Sequence, residues 1–150
     1  DHERTVWIDQ VIIWFSALRI TIPIQWRWCE TKYRARDDDE GTQLADGIAL
    51  SVNRHNLILM ESSGGVKDAK AHSEGDTYKL IENSVYALRE ILAAHKDVSW
   101  ERMKTMQVLS VQLIKNRATL MTTRVTEGPA GMSWELVELR SAQLPAYWSQ

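Results

Sequence analysis

Leu44-Ala45-Asp46-Gly47-Ile48-Ala49-Leu50-Ser51-Val52 and, after a short turn, Leu57-Ile58-Leu59-Met60-Glu61-Ser62-Ser63-Gly64 decide how this chain is read. In the first run, positions 44, 48, 50 and 52 are apolar, and Asp46 falls in the same alternation. In the second, Glu61 is in line with Leu57 and Leu59. Side chains alternate across a strand, so each acid is expected to face the way its apolar neighbours face. A carboxylate facing inward is costly unless it is paired or binds a metal. Two of them on adjacent strands suggest a cation site. The competing reading is a shifted or frayed strand whose acid meets solvent or an arginine.

Outward from these runs, residues 3–18 read as a helix, with Trp7, Val11, Trp14, Phe15 and Leu18 at helical spacing. After Pro23, Ile24, Trp26 and Trp28 alternate with Gln25, Arg27 and Cys29 in a strand that runs to about Tyr33. Asp37-Asp38-Asp39-Glu40-Gly41 is a solvated loop. A turn is expected over residues 53–56, and a polar, glycine-containing loop from Ser62 to Gly75. A helix is predicted over 76–94, with Asp76 as N-cap and Ile81, Val85, Leu88 and Leu92 as its buried stripe, Leu80 and Ile91 lying beside it. Three strands follow, over 106–114, 118–126 and 133–140, the first of them central because both its faces are apolar. A turn over 127–131 divides the last two. The expected fold is a single α+β domain, sandwich-like, with one mixed sheet and two main helices.

The 150 residues suffice for one domain with a core, and the chain is 44% hydrophobic and 25% charged. A net charge of -2 gives no global attraction to nucleic acid, so a polyanion would need a local basic patch. Arg27, Lys32, Arg34 and Arg36, with Lys67 and Lys70, are the candidates, set against an ordinary charged surface. Cys29 is the only cysteine, so no internal disulfide forms. The longest apolar stretch, residues 11–18, is too short to span a bilayer, and no signal peptide is read. An intracellular, soluble protein without membrane attachment is expected, nucleus and cytoplasm both open. The start at Asp1 suits a fragment of a longer chain. Seven tryptophans against one phenylalanine are read as core ahead of base-stacking platforms.

The order helix, three strands, helix, strands resembles the PD-(D/E)XK nuclease-like superfamily. An acid, Glu3, opens the first helix, Asp46 lies on the second strand and Glu61 on the third. The sequence is also similar to a group of uncharacterised fungal proteins. That similarity is carried by Glu3-Arg4-Thr5, Trp28-Cys29-Glu30, Ala45-Asp46-Gly47 and Glu61-Ser62-Ser63-Gly64. It continues through His72, Asp76-Thr77-Tyr78-Lys79, Val111-Gln112-Leu113-Ile114-Lys115 and Glu138-Leu139-Arg140-Ser141-Ala142 to Pro145 and Trp148.

The superfamily resemblance implies a restriction-endonuclease-like core and metal-dependent phosphodiester hydrolysis. Asp46 and Glu61 would hold Mg²⁺ or Mn²⁺, with Glu3 as a further ligand through water. The lysine of the E-x-K triplet is Ser63 here, and the proline before the motif Asp is Ala45. In viral cap-snatching endonucleases of this fold the lysine sits on the following helix, and Lys79 is in the comparable place. Its phase relative to the 81–92 stripe gives the alternative, a surface lysine. Ser62, Ser63 and His72 are candidate substrate-binding residues, against ordinary strand-end and loop roles.

The chemistry suits these residue types. Mg²⁺ takes hard oxygen ligands and keeps several waters. It acidifies water and offsets charge at phosphorus, and a lysine adds a point charge. Other frameworks are absent from the sequence. Gly64-Gly65 is not followed by Lys-Ser/Thr. No Cys/His spacing suits zinc, and no Cys-His or Ser-His-Asp arrangement is visible, with Ser62, Ser63 and His72 left for geometry to decide. If the Ser63 departure removes catalysis, the domain is an inactive descendant of the fold that binds nucleic acid or protein.

Overall fold

Six strands form one sheet in chain order: β1 (Gln25–Lys32), β2 (Leu44–Leu50), β3 (Asn56–Ser63), β4 (Gln107–Ile114), β5 (Arg117–Gly128) and β6 (Gly131–Gln143). The computed structural model describes residues 7–32, 44–52, 55–63 and 69–144. Neighbouring strands are antiparallel except β3 and β4, which are parallel. A parallel pair cannot be closed by a hairpin and needs a crossover. Helix α2 (Ala69–Ala94) lies between β3 and β4 in the chain. Ahead of the sheet, a π-helical turn (Trp7–Ile12) runs into α1 (Ile13–Ala17) and a 3₁₀ turn (Leu18–Ile20). A short helix, α3 (Trp100–Met103), precedes β4, and the Ser99 side chain caps it by accepting from the Arg102 amide.

Period-two alternation divides the strands between two cores. On one face Ile48, Leu50, Leu59, Val108, Met121 and Val125 meet Leu80, Ala87, Leu88 and Ile91 of α2. On the other, Ala49, Met60, Val111 and Leu113 meet Trp7 and Val11 of the N-terminal helical segment. The sheet is thus covered by helix on both sides, in an α+β sandwich. Leu59, Met60, Leu80 and Leu88 are at most 1% exposed, and burying each contributes about 1.5–3 kcal/mol.

The tryptophan content belongs mainly to the second face. Trp26 and Trp28, two apart on β1, stack with centroids 4.6 Å apart, and Trp7 meets Trp28 edge-on at 5.9 Å. Phe15 meets Trp26 edge-on at 5.7 Å. A Cβ at Gly47 would lie 2.8 Å from the Trp28 ring, so glycine is what lets that ring settle on β2. The reading of tryptophan as core holds for Trp7 and Trp26, which are buried, and for Trp14, Trp28, Trp100 and Trp134, which are half-buried.

Helix α2 departs from the sequence expectation in two ways. It begins at Ala69, so Asp76 is inside the helix and is not its N-cap, and His72 is helical where the sequence suggests a loop. Its buried stripe is Leu80, Asn83, Ser84, Ala87, Leu88 and Ile91, whereas Ile81 and Val85 are only half-buried. Leu88, expected in the stripe, and Leu80 and Ile91, expected beside it, are buried, Leu92 is half-buried, and the small or polar Asn83, Ser84 and Ala87 complete the face. Ser84 satisfies its hydroxyl on the Leu80 carbonyl one turn back (2.7 Å). The rotation moves Lys79 from the solvent side to the margin of the sheet.

The other boundaries shift by a few residues. β5 and β6 extend to the Pro129-Ala130 turn, and Gly131 closes that hairpin with φ +106°. β4 is central, as its two apolar faces require.

Candidate functional site

Register brings the two acids together. Gly47 pairs with Met60 across β2 and β3, so the next position along each strand carries Asp46 and Glu61. Asp46 Oδ2 accepts the backbone N–H of Ser62 at 2.8 Å, which fixes the carboxylate against β3. On the other side Glu61 is opposite Gln112 of β4, Gln112 is opposite Thr119 of β5, and Thr119 is opposite Ser141 of β6. Cross-strand partners share a face. A polar row therefore crosses five strands, and α2 meets it at Thr77 and Lys79. Gln112 Nε2 donates to Thr77 Oγ1, Thr119 and Ser141 share a hydroxyl hydrogen bond (3.1 Å), and Arg117 donates to Ser141 (3.3 Å).

Helix α2 supplies two charged groups. Lys79 Nζ lies 3.0 Å from each carboxylate oxygen of Glu61, with its well-directed hydrogen bond on Oε2. The Lys79 side chain is 31% exposed and that of Glu61 only 3%, so one ammonium bridges buried strand and solvent. Three residues earlier, Asp76 Oδ2 accepts the Ser63 hydroxyl at 2.7 Å. Lys115, at φ +57° in the β4–β5 turn, donates its amide to the Ser63 carbonyl (3.2 Å), so the end of β3 is tied from two directions.

Burial dominates the electrostatics of Glu61 and pushes its pKa up to about 7. The hydrogen bond and charge of Lys79 oppose that rise, and the negative charges of Asp46 and Asp76 add to it. A carboxyl poised near neutrality between a lysine and two acids is suited to binding a cation or exchanging a proton. Its Oε1 is buried and makes no directed hydrogen bond, with the Lys79 ammonium 3.0 Å away.

The sequence-predicted residues divide as follows. Asp46, Glu61 and Lys79 converge, with Ser62 and Ser63 beside them. Ser62 contributes its amide to Asp46, and the Ser63 hydroxyl is engaged by Asp76. His72 lies in the first half of α2, and Glu3 lies outside the described residues. Of the basic residues, Arg27 is exposed on β1; Arg34, Arg36 and Lys67 lie outside the described residues, and Lys32 and Lys70 are placed by backbone alone. Asp76, Thr77 and Gln112 join the site without being picked out by sequence reasoning. The spacing of Asp76 and Lys79, one turn apart on one helix face, is the available signal.

The donor set at Asp46 and Glu61 is hard oxygen, the kind that a small divalent cation keeping several waters takes. Among the described residues, no group of three or more His, Cys, Asp and Glu side chains could hold a metal ion. Also among them, no helix is long and apolar enough to cross a membrane. Comparison of the chain with family models, curated proteins and solved structures finds no match.

Proposed function

We propose that this domain is a PD-(D/E)XK-like nuclease that hydrolyses phosphodiesters with Mg²⁺ or Mn²⁺ held by Asp46 and Glu61. One observation carries this function: the Lys79 ammonium sits on the buried Glu61 carboxylate, beside Asp46, at the ends of adjacent strands. The antiparallel β1-β2-β3 order followed by a helical crossover to parallel β4 supports a restriction-endonuclease-like core. Lys79 stands on the crossover helix, which answers the departure at Ser63.

When bound, the cation would acidify a water and offset charge on the scissile phosphate. The chain's own residues do the rest. Asp46, pinned by the Ser62 amide, presents a fixed carboxylate. Glu61, with a pKa near 7, ionises in the range where a nuclease works. Lys79 places its partly exposed ammonium where a phosphate oxygen would arrive. Ser63 and Asp76 hold the strand end against α2 and so keep Lys79 in position.

The test is incubation of the protein with single- and double-stranded DNA and RNA in Mn²⁺. Wild type should cut at least one of them, and Lys79→Ala should lose cleavage by about 10²-fold or more while keeping its fold. Wild type that binds Mn²⁺ and cuts nothing contradicts the catalytic assignment.

A second reading is favoured by the same ion pair. Lys79 already neutralises Glu61, and the Ser63 hydroxyl is committed to Asp76. An inactive descendant, serving as a nucleic-acid or protein binding module, would keep both contacts permanently. It would show no response to divalent cations at Asp46.

A further inference from the structure

At the opposite end of α2 two histidines face each other. His95 follows directly on the helix, and His55 directly precedes β3. Their ring centroids are 5.7 Å apart and their planes are tilted by 48°. From Lys79 to His95 the chain advances about 24 Å at the helical rise of 1.5 Å per residue, so this pair is separate from the acid cluster.

The His95 ring and the His55 backbone are each held in place. The His95 ring Nδ1 lies 2.7 Å from the Ile91 carbonyl. A carbonyl can only accept, so Nδ1 is the donor there and Nε2 is the nitrogen left for a metal. A backbone carbonyl on the far nitrogen is the usual orienting partner of a metal-bound histidine. The backbone at His55 is closed on Ser51 from both sides. The His55 amide donates to Ser51 Oγ (3.1 Å), and the Ser51 amide donates to the His55 carbonyl (2.9 Å). Two imidazoles that share one tetrahedral zinc, with Zn–N about 2.0–2.1 Å, have ring centroids on the order of 5–6 Å apart. The observed spacing meets that requirement.

We propose that His55 and His95 form a second metal site that takes Zn²⁺, or a like imidazole-seeking divalent cation, and clips the start of β3 to the end of α2. Two imidazoles complete the protein's share of the ligands, and water fills the remaining positions of the ion. Imidazole selects Zn²⁺, Ni²⁺ or Cu²⁺ over the oxygen-seeking Mg²⁺ and Mn²⁺, so the two sites differ in the metal they take. His95 is exposed and His55 half-buried, so the ion reaches the pair from solvent. The clip spans segments that the chain otherwise joins only through β3 and the whole of α2. Its occupation should therefore raise the melting temperature by mass action.

The test is zinc titration calorimetry on the intact chain, with thermal melts at matched zinc concentrations. Wild type should bind Zn²⁺ saturably at this pair and melt higher with it. His55→Ala and His95→Ala should each weaken binding at least tenfold and abolish the thermal gain, while Asp46→Asn keeps both. Nitrogen NMR of the wild-type imidazoles provides a readout independent of the variants: the His95 Nε2 resonance should shift on zinc addition and its Nδ1 should stay protonated. Several results overturn the proposal: no saturable zinc binding by wild type, binding unchanged in either histidine variant, loss of zinc with Asp46→Asn alone, or zinc on Nδ1 of His95.

Discussion

Lys79 Nζ lies 3.0 Å from both carboxylate oxygens of Glu61, joining a helix position to a strand position eighteen residues earlier. The pair closes the crossover from β3 into α2, and it sets the charge of a buried acid. Lys79 lowers the Glu61 pKa against a larger opposing effect of burial. Removing the ammonium should release that effect. In Lys79→Met, Glu61 should titrate above about 7, as followed by carboxyl-carbon NMR. A lower or unchanged value would mean that the ammonium does not govern this group.

The same acid should leave a signature in stability against pH. Its pKa of about 7 in the folded chain stands above the ordinary 4.5. Below about 4.5 both folded and unfolded chains hold the proton. Between the two values only the folded chain does, so stability falls as pH rises and levels off above 7. The slope from this group is at most about 1.4 kcal/mol per pH unit and the total about 3 kcal/mol. Glu61→Gln should flatten the profile over that window in denaturant unfolding, and an unchanged profile would place the Glu61 titration elsewhere.

Ser63 occupies the place of the motif lysine and donates its hydroxyl to Asp76 at 2.7 Å. A half-buried hydrogen bond to a charged acceptor contributes about 1.5–3 kcal/mol. Ser63→Ala should lower unfolding free energy by the smaller of these figures, and Asp76→Asn by less, because its amide oxygen still accepts. Chemical denaturation measures both. If cleavage is detected, both variants should slow it through displacement of Lys79.

Gly47 is next to Asp46 and lies beneath the Trp28 ring. A Cβ there would be 2.8 Å from Trp28 Cζ3 and 3.3 Å from Met60 Cβ. Gly47→Ala should cost about 1–3 kcal/mol of overpacking. Differential scanning calorimetry should show a drop in melting temperature of roughly 2–4 °C per kcal/mol. A melting temperature equal to wild type would show that Trp28 can withdraw at no cost.

Alternation along β2 and β3 makes the two acids and their shared face legible in the sequence, because one buried face fixes strand phase. Ile48, Leu50 and Leu59 on that face, and Ala49 and Met60 on the other, bear this out, whereas Leu44 and Val52 at the ends of the first run are exposed and Leu57 packs with the opposite core. The α2 stripe is harder to place because Asn83, Ser84 and Ala87 are among its buried positions and give little hydrophobic signal. Asp76 suits an N-cap as a short acceptor, and the same property makes it the partner of Ser63. Telling these apart needs the position of Ser63, which is fixed by the fold. The polar row from Gln112 to Ser141 is hidden for a similar reason, since its members come together only through strand order. The His55–His95 pair depends on where α2 ends relative to the start of β3.

The claim that Asp46 and Glu61 hold a divalent cation is tested most directly by Mn²⁺ titration calorimetry on wild type and Asp46→Ala, with circular dichroism to verify the fold of the variant. Wild type should bind Mn²⁺ saturably and more tightly as pH rises through about 7, because Glu61 must release its proton to the cation. Asp46→Ala should lose that binding. Absence of saturable Mn²⁺ binding in wild type, or equal binding in Asp46→Ala, would contradict the account.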